Sequence, residues 1–135
     1  MHRKELIVRT PGRGFIELTQ QIDAWLVELS MREGLCNVFL PHTSASLLLG
    51  ENWDASVRRD LESFMQRLAP DADPRYEHDA EGADDMPAHI RAALTQSSVV
   101  LPVAAGRLRL GTWQGIYLWE HRIAAHERRV LLTAW

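Results

Sequence analysis

Cysteine is almost absent from this chain: Cys36 stands alone among 135 residues, so no internal disulfide forms and packing and hydrogen bonding must hold the fold. No apolar run approaches the ~20 residues that cross a bilayer as a helix, and Met1-His2-Arg3-Lys4-Glu5 lacks the apolar stretch of an export signal. A reducing cytoplasm is therefore the expected location, with no membrane partner. A basic excess is missing as well. Fifteen Lys and Arg against eighteen Asp and Glu give a net charge of -3, which argues against nucleic acid, whose binders gather positive charge on one surface. A small molecule is the expected partner. There is no glycine-rich phosphate loop, no Gly-x-Ser-x-Gly elbow to make Ser44 a nucleophile, no His-Glu-x-x-His pair and no internal repeat.

What remains is an ordinary globular composition, 46% hydrophobic and 24% charged, at a length that suits one domain over residues 1–135. Residues 4–9 and 15–18 read as short strands around the Pro11-Gly12-Arg13-Gly14 turn. Thr19 reads as a helix N-cap, with Ile22, Trp25, Leu26 and Leu29 on one apolar face and Gly34 as the stop. Residues 35–40 and 44–49 predict an antiparallel pair with His42 at their junction. Asn52 is placed to cap a second main helix with a buried stripe of Val57, Leu61, Phe64 and Leu68. After an acidic, irregular stretch over 70–84, Asp85 is placed to cap a short helix with Pro87 in its first turn and His89 beyond. Strands over 98–103, 107–110 and 112–120 follow, and 129–133 is expected to pair back across the last turn. The predicted class is α+β, a large, mostly antiparallel sheet with two main helices packed on it.

Three of the six histidines, His42, His78 and His89, sit at element edges beside short polar side chains and carboxylates. Imidazoles suit zinc, nickel, copper or iron, and a catalytic zinc keeps three protein ligands and one open position. His42, His78 and His89 would supply that set; three unrelated histidines at strand and helix ends is the plain alternative. His89 is also a candidate catalytic group. Asp85 reads either as a catalytic or metal-orienting carboxylate or as an N-cap. Glu120 ends a tryptophan-rich strand and reads as catalytic or as the ion-pair partner of Arg122 or Arg129. The Thr43, Ser44 and Ser46 hydroxyls and the Asn52 amide are candidate substrate-binding groups, and equally turn and cap residues.

Arg13-Gly14-Phe15, His42-Thr43-Ser44-Ala45-Ser46-Leu47, Glu51-Asn52, Tyr76-Glu77-His78-Asp79, the run from Gly82 to Ile90 and the run from Gly106 to Arg122 together resemble the YjbQ-like family, also called the secondary thiamine-phosphate synthase family. The resemblance implies a compact fold, a homotrimer, a histidine-lined metal pocket and a secondary capacity to join a pyrimidine diphosphate to a thiazole phosphate. The chain departs from the pattern at 124–127, which lacks the glycines expected there, and in a slightly short C-terminus. Pyrophosphate release usually draws on magnesium held by oxygen ligands, whereas the histidines suit zinc or a similar ion. The expected function is thus a thiamine-phosphate-forming transferase, with two alternatives: a metal-dependent hydrolase of a small phosphorylated or amide substrate, and a trimeric metal- or ligand-binding protein without turnover. The cofactor expected is a divalent metal, with magnesium added if the substrate is a diphosphate.

Overall fold

Alternation builds the larger sheet. In β1 (His2–Thr10), Leu6, Val8 and Thr10 are buried while Glu5, Ile7 and Arg9 face solvent, the period of two that gives a strand one wet face and one dry one. The computed structural model describes residues 1–135. After β1 come β2 (Gly14–Glu17), α1 (Thr19–Glu28), β3 (Glu33–Phe39), β4 (Ala45–Glu51), α2 (Ala55–Leu68), α3 (Asp85–Leu94), β5 (Ser98–Ala104), β6 (Arg107–Leu108), β7 (Gln114–Glu120) and β8 (His126–Ala134). Every strand pairing is antiparallel, in a five-stranded sheet ordered β1-β8-β3-β5-β6 and a three-stranded sheet ordered β2-β7-β4. The expected α+β class holds. It carries three helices, because α3 at 10 residues is as long as α1.

Two expected pairings are corrected. β3 does not pair with β4: its two edges are taken by β5 and β8, with Cys36 opposite both Leu101 and Ala134. β4 crosses instead to β7, Ala45 lying opposite Glu120. Nor does β8 fold back on β7; it inserts between β1 and β3. The core lies between the sheets, with Val38, Leu101, Val130 and Leu132 from one meeting Leu47, Ile116 and Leu118 from the other, and Ile22, Trp25 and Leu26 of α1 closing it.

The helix ends also differ from expectation. Thr19 does not cap α1: its Oγ1 accepts the Ile116 N–H at 3.0 Å and so ties the helix to β7. α1 stops at Glu28, ahead of Gly34, where Ser30 turns into the left-handed region at φ 54°. Gly34 lies in β3 with φ 148°, where a Cβ would run into the Trp135 carbonyl. Gly34→Ala is therefore expected to cost about 2 kcal/mol of stability; urea unfolding that matches the parent would contradict this.

α2 is capped by Asp54, which accepts the Ser56 N–H at 2.8 Å. Asn52 instead donates to the Gln114 carbonyl. The stripe expected to be buried is outward: Val57, Phe64 and Leu68 are exposed and no residue of α2 is buried. The helix is held by its polar side, where Arg58 donates to the Glu51 carbonyl at 2.8 Å and to the Tyr117 hydroxyl at 3.1 Å, and Glu62 accepts from Arg91 at 2.7 Å. Charged anchoring outcompetes the apolar stripe for the inward position.

Candidate metal centre

One helical turn separates Asp85 from His89, so both project from the same face at the start of α3. Asp85 is the first residue of the helix rather than its cap; Asp84 holds the cap position. Freed from capping, the Asp85 carboxylate turns to the histidines, with Oδ2 2.6 Å from His78 Nε2 and 3.3 Å from His89 Nε2. His78 arrives from the irregular segment ahead of α3. That segment is fastened by Arg13 to Asp71, by the Ala72 N–H to the Ala83 carbonyl and by the Tyr76 hydroxyl to the Pro70 carbonyl. The two imidazole rings stand 5.2 Å apart at 75°.

The three donor atoms lie within 4.8 Å of one another, close to the spacing of about 3.4 Å that tetrahedral ligands adopt on an ion ~2.1 Å from each. The Asp85 side chain is 4% exposed, while those of His78 and His89 are 44% and 35% exposed. The carboxylate is thus sunk in the protein and the imidazoles form an open rim. Arg122 fixes it from behind, donating from Nη1 to Asp85 Oδ1 at 2.8 Å, from Nε to Asp84 Oδ2 at 2.9 Å and from Nη2 to the Glu81 carbonyl at 3.0 Å. Asp84 also accepts the Ile123 N–H. Burial pushes the Asp85 carboxyl upward, but the His78 hydrogen bond and the charge of Arg122 outweigh it and hold the group below its ordinary range. A deprotonated carboxylate with one oxygen braced by arginine and the other facing two imidazoles is ready to accept a cation.

His42 is not in this cluster. It follows β3, and its Nε2 accepts the Arg129 N–H at 2.8 Å, a donor that lies beyond the last β3–β8 pair, Phe39 with Leu131. Burial, and then the charge of Arg128, lower its pKa. Glu120 is fully buried and saturated: Oε1 accepts from Thr10 at 2.6 Å and Arg128 Nε at 2.8 Å, and Oε2 accepts from Arg128 Nη2 and the backbone N–H groups of His121 and Arg122. Its ion-pair partner is Arg128, not Arg122 or Arg129. Burial would raise its pKa, and the hydrogen bonds from Arg128 and Thr10 reverse that. Glu120→Gln places an amide N–H among donors and is expected to cost about 2–3 kcal/mol in urea unfolding; an unchanged midpoint would contradict this.

Ser44 and Ser46 are buried parts of the same framework, not an exposed substrate wall. Ser44 Oγ accepts from Arg128 at 2.9 Å, and Ser46 Oγ lies 2.8 Å from His121 Nε2. Thr43 is exposed, and Asn52 is engaged with Gln114. His121, Arg91 and Asp84 are functional neighbours that the sequence pattern does not single out, and Arg122 braces Asp84 and Asp85 instead of pairing with Glu120; the run Glu120-His121-Arg122 closing an otherwise apolar strand is the available signal.

A profile of the family described as "UPF0047 protein YjbQ-like" matches residues 4–135. UPF0047 protein sll1880 of Synechocystis is 47% identical over 131 residues, covering 97% of this chain and 89% of that protein. UPF0047 protein YjbQ of Escherichia coli O157:H7 is 47% identical over 133 residues, covering 98% and 96%. Among solved structures, an uncharacterized conserved protein of the YjbQ/UPF0047 family from Clostridium acetobutylicum superposes with a TM-score of 0.89 at 33% identity, covering 98% of this chain and 99% of that one. These findings overturn the expected thiamine-phosphate synthase and transferase activity: the family and its relatives carry an uncharacterised-protein designation, and nothing attaches that synthesis to them.

Proposed function

The chain belongs to the YjbQ-like UPF0047 family, and we propose that it is a divalent-metal protein whose ion is held by His78 Nε2, Asp85 Oδ2 and His89 Nε2. The observation that carries this is the convergence of those three donors within 4.8 Å on a braced, buried carboxylate. Two imidazoles and one carboxylate match zinc or iron(II) and mismatch the oxygen octahedron that magnesium demands. Three protein ligands leave a coordination position for water or for an anionic small molecule, and the exposed imidazole rim gives access to it. The ion would supply a bound water acidified to a pKa of about 7. Arg122 holds Asp85 in place and neutralises part of the charge of the Asp84-Asp85 pair. No helix is long and apolar enough to cross a membrane. The outward Val57, Phe64 and Leu68 of α2 support assembly with further copies, as the homotrimer reading asks.

The test is metal content. Protein purified without a histidine tag is expected to retain about one transition-metal ion per chain, to lose it to a chelator and to regain melting temperature when zinc is restored. A chain that carries no ion and shows no shift with saturating zinc would overturn the proposal.

A further inference from the structure

α3 turns about 100° per residue, which points Arg91 away from the face that carries Asp85 and His89. Arg91 is fully buried. Its guanidinium makes one hydrogen bond, from Nη1 to Glu62 Oε2 at 2.7 Å, while Nε and Nη2 meet no acceptor. Two more buried nitrogens nearby have no hydrogen-bond partner, Trp119 Nε1 and His121 Nδ1. The Trp119 and His121 rings are 5.0 Å apart, and Arg91 is the strongest charge acting on His121. Arg91 Nε and Nη2 hold three N–H groups and the Trp119 indole a fourth. Against these four N–H groups stand at most two unpartnered buried acceptors, Glu62 Oε1 and, when the His121 proton is on Nε2, His121 Nδ1. This interior is donor-rich, and buried donors without acceptors destabilise a fold. An oxygen-rich anion offers several lone pairs at one place, where a water molecule accepts only about two hydrogen bonds.

Glu62 links this interior to the surface. It lines a cleft of about 380 Å³ between β2 and α2 whose walls include Gly14, Phe15, Arg58 and Arg59. Phe15 stacks on Trp119 at 4.6 Å, so one cleft wall packs against the ring that carries one of the idle donors. The helix over the cleft has no buried residue of its own and is moored by Arg58 and by Glu62 on Arg91. Arg58 and Arg59 supply positive charge at the mouth, and the Glu62 carboxylate occupies a place that an incoming anion would take on Arg91.

We propose that Arg91 is the base of a binding site for a small oxyanion of the phosphate class, entered through the cleft between β2 and α2, with Glu62 as the built-in carboxylate that the ligand displaces. The site shares no residue with His78, Asp85 and His89, so it stands whether or not the metal reading does.

The probe is inorganic phosphate, titrated calorimetrically into chelator-treated full-length protein against chloride at equal ionic strength, with acetate as a monocarboxylate comparison and phosphorus NMR as a second readout. Wild type is expected to bind phosphate more tightly than acetate. Glu62→Gln removes the competing charge and is expected to tighten phosphate by about tenfold. Arg91→Met is expected to abolish binding, and Arg58→Gln with Arg59→Gln, both on exposed or half-exposed positions, to weaken it severalfold, which keeps the proposal testable if Arg91→Met fails to fold. His89→Ala is expected to leave phosphate affinity unchanged. The proposal is overturned if neither wild type nor Glu62→Gln binds phosphate, if folded Arg91→Met binds as wild type does, if acetate is preferred, or if binding disappears in His89→Ala.

Discussion

Replacing Asp85 by alanine is expected to weaken zinc binding by about 100- to 1000-fold, the share of one ligand in a site whose total binding free energy is of order 10 kcal/mol. Asp85 is singled out because it sits within 2.6 Å and 3.3 Å of the two imidazole nitrogens and is the only charged donor of the set. Asp85→Asn keeps the shape and the first helical position but not the charge, so its loss should be smaller, about 10- to 100-fold. Arg122→Gln removes the brace on Asp85 Oδ1 and Asp84 Oδ2 while leaving every ligand in place; about tenfold is expected. His42→Ala should not move the affinity at all, because its Nε2 is committed to the Arg129 N–H. Competition against a chromophoric chelator reads all four. Zinc held equally well by Asp85→Ala and wild type would remove the metal centre, and a loss in His42→Ala equal to that in His89→Ala would mean that the site recruits a residue outside the observed cluster.

The contrast between His42 and Asp85 shows what the chain discloses locally and what it does not. Strand and helix positions follow from periodicity, and the alternation of Leu6 and Val8 or the spacing of Ile22, Trp25 and Leu26 is visible in a few residues. Partners are set elsewhere. Nothing within 35–49 says that both edges of β3 will be filled by β5 and β8, and that choice carries β4 into the other sheet. His78, Asp85 and His89 fall within a short stretch, so local geometry brings two of them together and one anchored segment adds the third. His42 depended on convergence across sheets, which spacing cannot supply. α2 misleads for a different reason: its apolar stripe has the period of a buried helix, yet Arg58 finds the Glu51 carbonyl and the buried Tyr117, Glu62 finds the buried Arg91, and these contacts roll that stripe outward. Buried charge is the hardest feature to foresee, because Arg91, Arg128 and Glu120 look like surface residues until their partners are known.

His121 belongs to that same buried group and carries the largest expected effect on stability. It is fully enclosed, and burial first, then the charge of Arg91, push its pKa from 6.5 down to about 3. The unfolded chain takes up a proton on this residue near its ordinary value, while the folded chain refuses it until far lower pH. Stability is therefore complete above about pH 6.5 and falls as the pH drops toward 3, at up to about 1.4 kcal/mol per pH unit and about 5 kcal/mol over the whole window. Asp85 and Glu120 act in a separate range. Their carboxyls are held below the ordinary 3.8 and 4.5, so the stability they contribute is lost only as pH falls below those values. In chelator-treated protein, where no ion couples folding to protonation of His78 and His89, the slope between pH 6.5 and 4.5 is expected to come mainly from His121, with a smaller addition of the same sign from the half-exposed His42. His121→Gln retains an amide that can meet Ser46 and does not titrate. Its absolute stability will differ, so slopes are compared: urea unfolding at several pH values should show wild type losing about 2 kcal/mol between pH 6.5 and 5 and the variant losing much less. Equal slopes in the two proteins would mean that the buried imidazole becomes protonated in the native state, with Glu120 and the Ser46 hydroxyl stabilising its charge against Arg91.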